Sequence, residues 1–297
     1  MASERLFDIQ QGPAGVPSPL VTVVIPTFNS ADTVERALES IYSQDVSFFL
    51  EILVFDDASS DNTVELVERS LLKSGFSWKI IRSAENLVSQ GISFLPMVME
   101  QIRGRYIARL DADDEWKESR KLENQVRLLE ANPDVDICGT GWELIHDDGL
   151  SISVPNIPGE GERIPWTELL RGNFLCHSSM VFRAQAVRDL PSAWARLPIR
   201  DYGLWALLSA GKDIAFHRSL ATTYYSSPNS QWMSKPLEVR LMDELETVLR
   251  LSKLVPDHHS RRLWKKRHRE LQANHLLRKF KSLLGRTHGT TSRLRWH

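Results

Sequence analysis

Cysteine is scarce in this chain, which has only Cys138 and Cys176 among its 297 residues. Two thiols are too few for a framework of disulfide bonds, or for a zinc site built from cysteine ligands. Proteins of this composition fit a reducing compartment, so we expect the protein to be cytoplasmic.

Long apolar runs are also lacking, because no stretch approaches the 18 consecutive apolar residues of a membrane-spanning helix. The first residues include acidic side chains, glycine and proline where a secretory signal needs a basic start and an apolar run. We therefore predict that residues 1–18 form a disordered lead-in. Any contact with a membrane is expected to be peripheral, on its inner face.

The composition, with 42% hydrophobic and 25% charged residues, is that of a globular protein. The net charge of −1 conceals an asymmetry, since residues 257–297 contain 12 lysines and arginines but only two acidic residues, Asp257 and Glu270. The body is therefore acidic and the tail basic.

The basic tail carries apolar residues between its charges, as an amphipathic helix at a membrane surface does. These charged and apolar residues are Arg261, Arg262, Leu263, Trp264, Lys265, Lys266, Arg267, Arg269, Leu271, Leu276, Leu277, Arg278, Lys279, Phe280 and Lys281. An anionic membrane surface is one partner for such a helix. The other is protein, either the acidic body or a second copy of the chain in a homo-oligomer. No nucleic-acid-binding motif accompanies the charges, so we expect no nucleic-acid partner.

Strand patterns alternate with helical ones over the first 115 residues, which predicts a mainly parallel α/β sheet flanked by helices. Strands are predicted over residues 20–25, 51–55, 79–82, 106–110 and 135–139. Helices are predicted over residues 92–102 and in three segments that follow Ser30, Asn62 and Ser119, with Ser30 and Ser119 as caps. Residues 160–225 lose the regular alternation, and roughly the last 60 residues have a helical pattern.

Two acidic motifs follow strands of this predicted sheet, Asp56 and Asp57 after one strand and Asp111, Asp113 and Asp114 after another. In an open α/β sheet, ligands bind beyond the carboxyl ends of the strands. Aspartates held close together repel one another unless a cation lies between them. Mg²⁺ and Mn²⁺ favour oxygen ligands, and Mg²⁺ usually shares them with substrate phosphates, so the pattern predicts a divalent metal and a diphosphate. The alternatives are solvated loop carboxylates and helix caps or Asx turns, the latter for Asp57 above all.

Three motifs resemble, in order and spacing, the signatures of glycosyltransferase family 2: VVIPTFN at residues 23–29, DDASSD at 56–61 and LDADD at 110–114. The resemblance covers about residues 20–225. It implies the nucleotide-sugar-binding α/β fold called GT-A, with Mn²⁺ or Mg²⁺ as cofactor. We expect a catalytic domain over residues 19–230, followed by a helical, basic extension over residues 231–297.

The resemblance also implies roles for individual residues. The donor-binding residues would be Pro26, Thr27, Phe28, Asn29, Asp57, Asp111 and Asp113. The loop after the first strand and Asp57 would contact the nucleobase, and Asp111 and Asp113 would serve the ribose and the metal. Asp114 would share the metal with Asp113.

Two later segments resemble the family as well. The segment PIRDYGLW at residues 198–205 is similar to the one that presents the catalytic carboxylate, usually written Glu-Asp; here Arg200 stands in place of the glutamate and Asp201 is the expected catalytic base. The segment CHSSMVFR at residues 176–183 would place His177 and Ser178 near the acceptor or the donor phosphates. A buried structural role is the alternative for His177. Residues 86–104 depart from the family pattern, which leaves the donor sugar open.

These motifs predict a metal-dependent, inverting transfer of a sugar from a nucleotide-sugar donor, with UDP-sugars favoured. The acceptor would be a hydroxyl of a growing glycan or a lipid-linked saccharide. A sugar-phosphate nucleotidyltransferase is the alternative enzyme, but it would need a Gly-rich loop after the first strand, where this chain has PTFNS at residues 26–30. Outside enzymes, the alternative is a nucleic-acid or membrane-binding protein that acts through the basic tail.

Overall fold

The computed structural model describes residues 7–12, 17–146, 152–226 and 234–285. The strands of this part of the chain join in one mixed sheet. In chain order they are β1 (Phe7–Gln11), β2 (Val21–Thr27), β3 (Leu50–Asp56), β4 (Ser77–Ser83), β5 (Tyr106–Arg109), β6 (Glu115–Trp116), β7 (Ile137–Ile145), β8 (Ile152–Ser153), β9 (Arg163–Ile164), β10 (Val181–Arg183) and β11 (Ile214–Tyr225). The helices are α1 (Val34–Tyr42), α2 (Thr63–Ser74), α3 (Leu95–Val98), α4 (Lys121–Ala131), α5 (Ala184–Arg188), α6 (Arg200–Leu208), α7 (Leu237–Leu254) and α8 (His258–Gly285).

Strand β2 lies at the centre of the parallel part of the sheet. It pairs with β3 on one side and with β5 on the other, and β4 continues the parallel order beyond β3. On the other side of β5, the antiparallel strand β10 leads to β7, which pairs in parallel with β11. The predicted α/β sheet is therefore confirmed, and the carboxyl ends of β2, β3 and β5 lie side by side at one edge.

Alternate side chains of the central strands supply two apolar cores, one on each face of the sheet. Val23 and Ile25 belong to one core, and Val24 between them belongs to the other. Strands covered on both faces consist of nearly continuous apolar residues, which is why this strand was recognisable in the sequence. Helix α1 covers one face with side chains at the predicted helical spacing, namely Val34, Ala37, Leu38 and Ile41.

The helix predicted over residues 92–102 is mostly wrong. Only α3 and a 3₁₀ turn at Met99–Gln101 form there. Pro96 lies in the first turn of α3, and proline is tolerated at a helix start but not in a helix interior. The segment before Pro96 therefore stays irregular.

The helix caps predicted at Ser30 and Ser119 are also wrong. Helix α1 follows Thr33 and helix α4 follows Arg120, and neither N-cap residue makes a side-chain capping hydrogen bond. Ser30 instead accepts the amide hydrogens of Thr33 and Val34 at its main-chain carbonyl. The turn before α1 is thus held by the backbone.

The N-terminal strand β1 corrects another expectation. Disorder is predicted over residues 1–18, but Phe7–Gln11 pairs antiparallel with β4 at the edge of the sheet. The ring of Phe7 meets Phe55 edge to face, with ring centroids 6.1 Å apart. Residues 1–6 and 13–16 lie outside the described residues.

The first part of the basic tail packs on the body. Trp264 of α8 is fully buried and meets Tyr202 of α6 edge to face at 6.0 Å. Arg267 forms an ion pair with Glu244 of α7 at 3.4 Å. This favours, for the first half of α8, the alternative in which the tail packs on the acidic body. The side chains from residue 279 onward and the expected domain boundary at residues 230 and 231 lie outside the described residues.

No helix within the described ranges combines the length and the apolar character that crossing a bilayer requires. Both cysteines are free thiols and buried.

Candidate active site

The carboxyl ends of β2, β3 and β5 form a polar rim at one edge of the sheet. Pro26 and Thr27 end β2, Asp56 ends β3, and Asp111 follows β5. Both acidic motifs therefore lie at the predicted edge. The two strands looked adjacent from the sequence, but that expectation is wrong, because β2 lies between β3 and β5. The loop after β2 is thus flanked by carboxylates on both sides.

Hydrogen bonds fix the loop after β2 to the loop after β3. The hydroxyl of Thr27 donates to Asp56 at 3.0 Å, and the amide of Asn29 donates to the hydroxyl of Ser59 at 2.9 Å. Asn29 has a positive φ of 49°, a conformation that asparagine adopts more readily than most residues. The side chain of Phe28 is 46% exposed beside them. An open aromatic surface therefore stands on a rigid loop.

Asp57 is buried and anchors the loop after β4. One carboxylate oxygen accepts the amide hydrogen of Leu87 at 2.7 Å, and the other accepts that of Val88 at 2.9 Å. Each oxygen keeps a second lone pair, which a nucleobase contact would use. The alternative role considered for Asp57 was an Asx turn or a helix cap. Near the start of α2, however, Asp61 is the residue whose carboxylate accepts the amide hydrogen of Thr63, at 3.0 Å.

Asp111 is held between an arginine and a histidine. Its Oδ1 accepts a hydrogen bond from Nη2 of Arg109 at 3.2 Å, and its Oδ2 lies 3.6 Å from Nδ1 of His177. Its amide donates to the hydroxyl of Ser178 at 3.0 Å. Burial alone raises the pKa of Asp111, but His177 and Arg109 outweigh burial and hold the pKa below its ordinary value. Asp111 is therefore ionised at neutral pH.

Asp113 and Asp114 have different surroundings. Asp114 is fully buried, and its carboxylate accepts hydrogen bonds from the Ser178 hydroxyl and from the amide of Tyr225, the latter at 3.1 Å. Burial and the negative charge of Asp111 raise the pKa of Asp114 well above its ordinary value. Asp113 is half-buried, and burial together with Asp111 raises its pKa to about 6. Asp114 was expected to share the metal with Asp113, but both of its oxygens already accept hydrogen bonds within the protein. Asp114 therefore shapes the loop, whereas Asp113 is the carboxylate open to a ligand.

The donor set suits a divalent metal that is shared with a substrate. Within the described ranges, no three His, Cys, Asp or Glu side chains gather closely enough to hold a metal by themselves. Asp111 and Asp113 would supply two oxygen ligands, and a cation between them would relieve their mutual repulsion. Mg²⁺ is commonly held by one or two carboxylates plus substrate phosphates. The residues present therefore fit a metal completed by a diphosphate.

Asp201 lies in the first turn of α6 and faces the same region. Its Oδ2 is 3.5 Å from the side-chain nitrogen of Asn173. Trp205, one turn further along α6, is fully buried and meets the His177 ring edge to face at 5.6 Å. His177 is 30% exposed in its side chain, whereas Ser178 is fully buried. Packing of Trp205 on His177 thus fixes the start of α6 relative to Asp111.

Two arginines connect the acidic groups into one site. Arg109 lies within electrostatic range of both Asp111 and Asp201. Arg200 lies within electrostatic range of both Asp201 and Asp57. The start of α6 therefore lies within electrostatic range of the carboxyl ends of β3 and β5.

Two residues of the site, Arg109 and Arg36, went unnoticed in the sequence. Arg109 is the charged residue within the otherwise apolar strand β5, and that contrast was a readable signal. Arg36 donates to the main-chain oxygen of Asp113 at 2.6 Å, and its guanidinium stacks 3.9 Å from the ring centroid of Tyr225. Nothing in the local sequence connects residues so far apart, so this contact required the fold.

Comparison with known proteins gives one family and several related folds. The model of the glycosyl transferase family 2 matches residues 22–190. An uncharacterized protein of Mycobacterium tuberculosis is 26% identical over 222 residues, which cover 72% of this chain. The chain spans only 61% of the length of that relative. The Escherichia coli protein WfaP, described as UDP-Glc:alpha-D-GlcNAc-diphosphoundecaprenol beta-1,3-glucosyltransferase, is 26% identical over 69% of this chain and 76% of its own.

Two solved structures share the fold at low identity. Staphylococcus aureus TarS in complex with UDP-GlcNAc has a TM-score of 0.62 at 15% identity, covering 84% of this chain and 72% of that chain. The mannosyltransferase PcManGT from Pyrobaculum calidifontis, in complex with GDP-Man and Mn²⁺, has a TM-score of 0.58 at 16% identity, covering 97% and 80%. These likenesses confirm the predicted GT-A fold.

Proposed function

The chain belongs to glycosyl transferase family 2, and on that premise we propose that it transfers a sugar from a nucleotide-sugar donor to an acceptor hydroxyl. The observation that carries the proposal is that Asp111 and Asp113 follow β5 at the edge of the sheet, while Asp201 at the start of α6 is within electrostatic range of Arg109, the hydrogen-bond partner of Asp111. This chemistry needs carboxylates that bind a metal and a separate carboxylate that removes the proton of the acceptor hydroxyl.

The nucleotide would lie over the loop after β2. Phe28 offers an exposed aromatic face to the base, and Pro26, Thr27 and Asn29 keep that loop rigid. Asp57 would accept a hydrogen bond from the base with its remaining lone pairs. Uracil is the favoured base.

Asp201 would act as the general base of a single displacement. It takes the proton from the acceptor hydroxyl while that oxygen attacks the anomeric carbon from the face opposite the diphosphate, so the configuration inverts. Asn173 orients the carboxylate of Asp201, and His177 and Arg109 keep Asp111 ionised. Mn²⁺ or Mg²⁺, when held by Asp111 and Asp113 with Asp114 supporting their loop, supplies positive charge against the departing diphosphate.

The acceptor is proposed to be a saccharide, free or linked to a lipid. The acceptor in the name of the relative WfaP is a sugar on a lipid diphosphate. The distal part of α8 would hold the protein at an anionic membrane surface, because Leu276 and Leu277 are 66% and 57% exposed within a basic sequence. The first half of α8 packs on the body around the buried Trp264, so it is not available to a membrane.

A donor panel tests the proposed reaction. Release of nucleoside diphosphate is measured with UDP-, GDP- and dTDP-sugars in Mn²⁺, Mg²⁺ or chelator, with and without saccharide acceptors. We expect release from one class of donor, dependent on metal and stimulated by acceptor. Asp113→Asn should abolish it, whereas Asp189→Asn, a change at an exposed aspartate away from the site, should not. Release of pyrophosphate from a nucleoside triphosphate and a sugar phosphate would instead indicate the nucleotidyltransferase.

A further inference from the structure

The carboxylate of Asp113 lacks the support that its neighbours have. Arg109 donates a hydrogen bond to the carboxylate of Asp111, and Ser178 donates one to the carboxylate of Asp114. Within the described part of the chain, no other residue donates a hydrogen bond to the carboxylate of Asp113. The position of this carboxylate therefore depends on the main chain that carries it.

Arg36, in the first turn of α1, holds that main chain. Its Nη2 donates to the main-chain oxygen of Asp113 at 2.6 Å. A hydrogen bond from a charged donor is shorter and stronger than one between neutral groups. The Nε of Arg36 is buried without a hydrogen-bond partner and lies 3.8 Å from a carboxylate oxygen of Glu115. The side chain of Arg36 thus ties α1 to the segment that presents Asp113.

Tyr225 connects the same arginine to the end of β11. The guanidinium of Arg36 lies 3.9 Å from the ring centroid of Tyr225, which is within the range of a cation–π interaction. The hydroxyl of Tyr225 donates to Glu115 at 2.9 Å, and its amide donates to Asp114 at 3.1 Å. Arg36 and Tyr225 therefore join α1, the loop over residues 111–114 and the end of β11.

Resting on the proposed function, we propose that Arg36, held by Tyr225, is a positioning residue of the metal site, because it fixes the main chain from which the Asp113 carboxylate meets the cation. The charge of Arg36 acts in the opposite direction, since a nearby guanidinium repels Mn²⁺. Loss of Arg36 would tighten Mn²⁺ binding if charge dominated, and would weaken it if positioning dominated. We expect weakening, because the hydrogen bond to Asp113 is short, whereas the guanidinium is 38% exposed and water and salt screen its charge.

Binding of Mn²⁺ to the full chain separates these two effects. Electron paramagnetic resonance measures free Mn²⁺ while the metal is titrated into the wild-type protein and each variant, alone and with UDP, GDP or dTDP. In the presence of the nucleotide that binds best, Arg36→Met should weaken Mn²⁺ binding about tenfold, as expected for one charge-assisted hydrogen bond. Its affinity for the same nucleotide in chelator should stay within about twofold of the wild-type value.

Three further variants define the contact. Arg36→Lys should weaken Mn²⁺ binding less than Arg36→Met, since an ammonium keeps one donor for the Asp113 oxygen but lacks the planar fork. Tyr225→Leu should also weaken it, and should add little in a double variant with Arg36→Met, because the two residues act through one contact. Arg69→Met, at an exposed arginine of α2 that pairs with Glu35, should leave Mn²⁺ binding unchanged.

Unchanged or tighter Mn²⁺ binding by Arg36→Met would overturn the inference, because charge would then outweigh positioning. An equal loss of nucleotide affinity in chelator would also overturn it, since Arg36 would then contact the nucleotide itself. Fully additive losses in the double variant would overturn the part assigned to Tyr225. Thermal unfolding checks that each variant is folded, and Arg36→Lys carries the test if Arg36→Met is not. In all these results the proposed function stands, whereas a wild-type protein that binds no nucleoside diphosphate would overturn both.

Discussion

Lys121 provides a sharp test of the packing behind the acidic loop. Its side chain is fully buried. The ammonium group donates a hydrogen bond to Gln125 at 2.7 Å and lies 4.3 Å from the ring centroid of Trp116. Trp116 in turn donates to the main-chain oxygen of Ser178 at 2.7 Å. No carboxylate contacts the ammonium within the described part of the chain. Burial therefore dominates and lowers the pKa of Lys121 to about 7.

This shift makes stability depend on pH in a definite direction. The pKa of Lys121 falls from 10.5 to about 7 on folding, so between these values the unfolded chain binds a proton that the folded chain does not. The free energy of unfolding therefore rises with pH across that window. The full effect of Lys121 approaches about 5 kcal/mol, and between about pH 7 and about pH 9 it amounts to about 2–3 kcal/mol.

The variant Lys121→Met removes this dependence. Urea unfolding of the wild-type protein and the variant is followed at several pH values, and the two free energies of unfolding are subtracted at each pH. The difference should shift by about 2–3 kcal/mol in favour of the wild-type protein from about pH 7 to about pH 9. Lys73→Met, a change at an exposed lysine of α2, should show a flat difference. A flat difference for Lys121→Met as well would refute a buried ammonium at this position.

Three other predictions concern the catalytic base, the tail and the membrane. Asp201→Asn should bind the donor normally but turn it over about 10²- to 10⁴-fold more slowly, and near-normal turnover would exclude Asp201 as the base. Trp264→Ala should lower the free energy of unfolding by about 3–5 kcal/mol in urea, because the ring is fully buried; a loss below about 1 kcal/mol would contradict packing of α8 on the body. Leu276→Glu with Leu277→Glu should weaken sedimentation with anionic vesicles at least about tenfold. Leu72→Glu, at a leucine that is 67% exposed on α2, should not, and equal binding by all proteins would remove the tail as an anchor.

The central strands were predictable because both of their faces are buried. Residues 23–25 and 52–55 are continuous apolar runs within the predicted strands, and such runs have few alternatives in an α/β protein. The edge strand β1 was not predictable, because Asp8 and Ile9 are exposed and no alternation of apolar and polar residues marks it. Its pairing with β4 is a long-range contact that local sequence does not encode.

The acidic site was predictable in place but not in detail. Loops after parallel strands gather at one edge, so the sequence was enough to place Asp57 and Asp111 there. The sequence could not distinguish Asp113 from Asp114, because burial decides which of two adjacent carboxylates faces a ligand. The role of Ser178 depends on its hydrogen bond to Asp114, a residue far from it in the sequence.

Metal-dependent binding of nucleotide tests most directly whether Asp111 and Asp113 share a cation with a diphosphate. Titration calorimetry with UDP, GDP and dTDP identifies the best ligand, which is then titrated with Mn²⁺ and with chelator. We predict that Mn²⁺ tightens binding at least about tenfold for the wild-type protein and that Asp113→Asn loses this gain. Equal affinity with Mn²⁺ and with chelator, or an undiminished gain in Asp113→Asn, would contradict the shared site.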